Sequence, residues 1–117
     1  MNANEQRTRA GASRLTSQAE GLGTVTHDVI SRRFEVRVGD HPLAFLSYSF
    51  DGNRVVYGHT FVPTELRGKG IAANLVRAAL EEARQRGWRV VPRCSYVAAF
   101  IKRNPQFADL IAPEART

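Results

Sequence analysis

Between residues 61 and 71 the spacing of apolar side chains changes from two residues to between three and four, and that change limits the folds open to the chain. Before it, "RRFEVRVGD" alternates, with Phe34, Val36 and Val38 on one side and Glu35 and Arg37 on the other. A strand with one wetted face is expected. "LAFLSYSF" and "RVVYGHTFV" read as two more strands. "GDHP" and "DGN" are the turns between them, because glycine and asparagine accept positive φ at low cost. After the change, Ile71, Leu75, Ala78 and Ala79 mark the apolar face of a helix over residues 70–86. Its polar face carries Asn74, Arg77, Glu81, Glu82, Arg84 and Gln85, and Gly87 is placed to cap its carboxyl end. "WRVV" follows as a short strand ended by Pro92. "SYVAAFIKRN" is a second helix, with Ser95 as the expected N-cap and Pro105 as the stop.

The resulting fold class is α/β (α+β): an antiparallel three-strand meander followed by helix, strand and helix, with about four strands in one mixed sheet. The strands on either side of the long helix would run parallel, joined by a right-handed crossover. The domain is expected over residues 25–113, behind a flexible polar tail at 1–24 and ahead of a frayed end at 114–117. A chain of 117 residues suits one such domain.

Charge narrows the partners. Seventeen Lys and Arg against eleven Asp and Glu give a net charge of +6, which suits nucleic acid, a membrane surface or a phosphate-bearing small molecule. One cysteine, Cys94, excludes an internal disulfide and a Cys-rich zinc site. His27, His41 and His59 have no metal-ligand spacing, so no metal is expected, and neither His27 nor His41 is given a role. The N-terminus has no apolar core of a secretory signal, and no stretch approaches the length of a membrane span. A soluble, cytoplasmic protein is expected, monomeric and without a membrane partner.

The segment "VPTELRGKGIAANLV" bears most on function. Amides at a helix N-terminus point outward unpaired, and the helix dipole adds positive potential there, so phosphate oxygens suit the place. Gly68 and Gly70 would let a ligand approach the backbone, while Arg67 and Lys69 add charge; a solvated basic turn is the plainer reading of those four residues alone. A Walker loop is absent. "GKGIAA" satisfies the dinucleotide pattern G-x-G-x-x-[GA], but an antiparallel meander precedes it and no acidic residue ends the next strand. The pattern R-x-x-G-x-[GA] is matched by Arg67, Gly70 and Ala72, after a strand and at the start of a helix.

In that setting the chain resembles the GNAT superfamily of acetyl-CoA-dependent N-acetyltransferases. "HTFVPTELRGKGIAANLV", "VVPRCSY" and "FIKRNPQF" closely resemble its very small YjdJ-type branch, over roughly residues 25–113. The resemblance implies acetyl-CoA as cosubstrate and an amine as acceptor. It assigns Arg67, Gly68, Lys69, Gly70, Ile71 and Ala72 to the pyrophosphate, and backbone groups near Phe61 and Val62 to the pantetheine arm and thioester. It also draws attention to Cys94 and His59, which members of the branch share. Cys94 would serve as a base or transient acetyl acceptor, against the plain reading of a small buried hydrophobe. Many GNAT enzymes carry a tyrosine in the last helix to protonate the departing thiolate. Phe100 stands at that position here, and Tyr96, one turn earlier on the same face, is the substitute. His59 shares strand parity with Val55, Tyr57 and Phe61, which favours a hydrogen-bonded ring in partly apolar surroundings. Two other readings compete: a CoA-binding module without catalysis, and a basic nucleic-acid binder. The basic residues are spread along the chain without a recognition signature, so no nucleic-acid partner is expected.

Overall fold

The computed structural model describes residues 18–19 and 23–115. Gln18–Ala19 (β1) pairs antiparallel with Gly23–Thr24 (β2). The rest of the expected tail at residues 1–24 lies outside the described residues, as do residues 116 and 117. A single five-stranded sheet follows, built from Thr26–Asp28 (β3), Arg33–Val36 (β4), Ala44–Asp51 (β5), Arg54–Phe61 (β6) and Arg89–Pro92 (β7), in that order across the sheet. β3 to β6 are antiparallel neighbours, and β7 runs parallel to β6. The meander, the helix and the parallel return are therefore as the hydrophobic spacing predicts.

The fifth strand, β3, was not expected. Three residues are too few to show a period, and its pairing with β4 through His27↔Phe34 is what makes it a strand. Alternation in β5 buries Ala44, Leu46 and Tyr48 while the intervening residues stay more open. β4 ends at Val36, earlier than its alternation suggests, and Val38 packs against the core from the turn that follows.

Ile71–Arg86 (α1) lies on the buried face of the sheet. Leu75, Val76, Ala79, Leu80 and Ala83 are fully buried there, in one cluster with Phe34, Leu46 and Tyr57. Fully burying a leucine-sized side chain stabilises the fold by about 1.5–3 kcal/mol relative to exposure, so this stripe anchors the helix. Gly87 ends α1 in the left-handed conformation at φ 71°, and the Trp88 amide donates to the Ala83 carbonyl at 2.9 Å. Ser95–Arg103 (α2) adds Val97, Phe100 and Ile101 to the same core.

Two sequence-based placements are corrected. Cys94, not Ser95, occupies the N-cap of α2, with extended backbone at φ −70° and ψ 128°. Glu82, expected on the polar face of α1, is buried. β3 brings His27 alongside it, and Arg86 one turn on donates to its carboxylate. Among the described residues, no helix is long and apolar enough to cross a membrane.

Candidate functional site

The parallel pairing of β6 with β7 stops where the two strands change character. Tyr57↔Pro92 is their last pair, and proline has no N–H to carry the ladder onward. The Cys94 amide donates to the Tyr57 carbonyl at 3.0 Å, and the chain then turns into α2. On β6, Gly58 is an extra residue between the pairs Tyr48↔Tyr57 and Ser47↔His59, which makes a bulge. β6 therefore runs on past the end of β7. Beside this gap lies a cleft of about 580 Å³, lined by residues 59–62, by Leu66 and the turn after it, and by Tyr96. That volume is within the range of small-molecule sites.

A 3₁₀ turn, Thr64–Leu66, leads from β6 to α1, and buried Leu66 pins it to the core. The chain then passes through Gly68 at φ 78° and Gly70 at φ 84°. A Cβ at either position would meet nothing within 4 Å, so glycine is required there for the backbone angle and not for clearance within the protein. The first α-helical bond runs from the Asn74 amide to the Gly70 carbonyl at 3.1 Å. The amides of Ile71, Ala72 and Ala73 are the first of the helix and have no carbonyl one turn back to bond. Gly70 supplies no side-chain cap either. Gly68, Gly70, Ile71 and Ala72 all line the cleft. Arg67 does too, its Nε donating to the Val62 carbonyl at 3.0 Å. That bond engages the Val62 oxygen and leaves the terminal guanidinium nitrogens available to an anion. Lys69 is exposed and is not part of the cleft wall.

On the far side of the gap, Cys94 Sγ lies 3.5 Å from Thr60 Oγ1. Burial pushes the thiol up; the hydrogen bond with Thr60 and the nearby amides of Val97 and Tyr96 outweigh it and hold the group below the ordinary thiol range. Tyr96, half-buried, lines the cleft. Phe100 does not: it is 2% exposed, packed against Phe107 and beneath the Arg77 guanidinium. His59 also departs from expectation. The bulge reverses the parity inferred from Val55 and Tyr57, so His59 is exposed and its ring lies 5.9 Å from that of Phe45. It still borders the cleft, but the side chain that meets the sulfur belongs to Thr60. A glycine inside a strand pattern is the available sequence signal for such a reversal.

A meander, a glycine turn opening a helix and a gap between parallel strands are features of one known family. Its model, described as GCN5-related N-acetyl-transferase, matches residues 33–110. The chain belongs to that family. Among relatives of this chain, Protein NATD1 of Bos taurus is 40% identical over 93 residues, covering 76% of this chain and 82% of the relative. The Homo sapiens protein of the same name is 38% identical with the same coverage. The solution structure of a GCN5-like putative N-acetyltransferase from Staphylococcus aureus superposes with a TM-score of 0.57 at 26% identity, over 69% of this chain and 81% of that one. The fold and the family are thereby shown.

Proposed function

We propose that this GCN5-related N-acetyltransferase moves an acetyl group from acetyl-CoA to an amine. The observation that carries the reading is the cleft itself. Along one wall, amides of a helix N-terminus stand without intrahelical partners; along the other lie Thr60 and Tyr96, and the Cys94 thiol, outside the lining itself but 3.5 Å from the Thr60 hydroxyl, is held low where two parallel strands part. The fit to a phosphate-bearing ligand is good. Two left-handed glycines present the main chain to open space, Arg67 adds a fixed charge, and the net charge of +6 favours a polyanion. Arg67, Gly68, Gly70, Ile71 and Ala72 would hold the pyrophosphate, with Lys69 contributing charge from outside the cleft wall. Residues 58–61 of β6, beyond the end of β7, offer backbone to the pantetheine arm near Phe61.

When bound, acetyl-CoA supplies an activated thioester. The protein's own part is proton handling and positioning. Cys94 as thiolate can accept a proton from the incoming ammonium, or accept the acetyl group itself with release of the CoA thiolate, and Tyr96, which lines the cleft, can donate a proton to that departing thiolate. His59, exposed at the cleft's rim, can carry protons between the acceptor and solvent. A cytoplasmic monomer acting on a protein or small-molecule amine is consistent with this reading.

Acetyl-CoA is expected to raise the midpoint of thermal unfolding. A ligand at a hundred times its Kd stabilises by about 2.7 kcal/mol, and Gly70→Glu is expected to abolish that increment by placing a carboxylate in the cradle. An unshifted wild-type midpoint would end the proposal. A second reading, CoA binding without turnover, is favoured by one feature: the helix position of the family's tyrosine is a buried phenylalanine. Amine-dependent release of free CoA thiol separates the two, and a rate no higher than the uncatalysed one supports the second.

A further inference from the structure

The contact that bridges the parted strands carries an inference of its own. Thr60 lies on β6 beyond the bulge and Cys94 just beyond the end of β7, so their side chains meet just past the last main-chain bond between the two segments, from the Cys94 amide to the Tyr57 carbonyl. The bulge is what aims Thr60. In the shifted register Thr60 is opposite Leu46, which is fully buried, so its hydroxyl turns toward the helices and the sulfur. A β-branched residue in a strand has few χ1 choices, which fixes where that hydroxyl points. The backbone that carries the sulfur is held as well: the Cys94 amide is bonded to Tyr57, and its Cα is the N-cap of a nine-residue helix.

We propose that Thr60 is a positioning residue for Cys94, its hydroxyl donating to Sγ so that the sulfur stays at the mouth of the gap and is favoured as the thiolate. A thiolate accepts hydrogen bonds and a hydroxyl can donate one, whereas the isosteric methyl of valine cannot. The functional consequence rests on the acetyl-transfer reading; the chemistry of the pair does not. In that reading Thr60 acts through Cys94, keeping it aimed and favouring its thiolate before any ligand arrives. The direction of the thiol's ionisation agrees, since the Thr60 bond is the foremost influence opposing burial.

Cys94 is the single cysteine of the chain, so its alkylation by iodoacetamide, followed against pH on the full-length protein, reports one thiol. The wild-type rate is expected to rise with a midpoint below the ~8.5 of a free cysteine. Thr60→Val should move that midpoint up by about one pH unit and slow alkylation at pH 7 by about tenfold, the scale of one hydrogen bond to a charged group. Thr60→Ser should restore the wild-type profile, which a purely packing role would not predict. A wild-type midpoint at or above that of free cysteine overturns the proposal, as does a Thr60→Val profile identical to wild type or a Thr60→Ser profile that follows Thr60→Val. If Thr60→Val loses its native circular dichroism, Thr60→Ala takes its place, and the wild-type midpoint stands as a test without either. The thermal response to acetyl-CoA, measured on the same wild-type sample, judges the acetyl-transfer reading separately from the thiol titration.

Discussion

At the β3 edge of the sheet, buried polar side chains face one another, although His27 Nδ1 completes no hydrogen bond among the described residues; beside β7, where the sheet opens, main-chain amides are left for something else. His27 is stacked on Phe34 with ring centroids 4.2 Å apart. Its Nε2 is 2.6 Å from Tyr48 Oη, and its Nδ1 faces the Glu82 carboxylate at 3.5 Å. Arg86 closes the group by donating to Glu82. A neutral ring suits this arrangement, with Tyr48 donating to Nε2 and the Nδ1 proton turned to Glu82. Next to it, Tyr57 donates its hydroxyl to the Ala79 carbonyl at 2.6 Å. At the open side, the first amides of α1 lack helical partners and two glycines hold left-handed angles. The contrast separates what holds the fold from what serves a ligand. Removing a member of the first group leaves a buried charge or donor unmatched. Among the described residues, the amides of the second group have no internal partner to lose.

The largest effect should come from breaking the matched group. Glu82→Ala leaves the buried His27 Nδ1 facing no carboxylate and is expected to lower stability by about 2–3 kcal/mol, the half-exposed Arg86 turning to solvent. The thermal increment from acetyl-CoA should remain as large as in wild type. A chemical-denaturation midpoint equal to wild type, or loss of the ligand response with the fold intact, would contradict the division between the two regions.

Phe100 sharpens the boundary. It lies on the helix that borders the open side, yet its ring belongs to the core. Restoring the family's residue by Phe100→Tyr should therefore bury a hydroxyl with no partner, at a cost of about 1–3 kcal/mol, and bring no gain in acetyl transfer. Faster turnover in that variant would mean that the cleft reaches Phe100 after all.

The smallest effect concerns pH. Burial lowers the pKa of His27, outweighing the neighbouring Glu82, which acts the other way. The unfolded chain thus binds the proton more readily than the folded one. This group's stabilisation is complete above its unfolded value of ~6.5 and is lost as pH falls from there toward the lower folded value, with a slope of at most about 1.4 kcal/mol per pH unit. Melting curves between pH 7 and pH 5 should show this decline, and His27→Gln should flatten it. An equally steep decline in the variant would assign the effect to other groups.

Local rules accounted for much of this molecule. A long apolar stripe with glycine at each end specified α1, and alternation specified β4 to β6, because helix and strand periods and left-handed glycine angles are properties of short stretches of chain. The amide-rich turn was readable for the same reason. What those rules missed depends on neighbours remote in sequence. β3 exists through its pairing with β4, and Glu82 is buried because β3 delivers a histidine to it. The exchange of His59 for Thr60 at the sulfur turns on one unpaired residue, Gly58. A strand's side chains alternate with a period of two, so a single inserted residue sends every later one to the opposite face, and only the register against β5 reveals where that happens.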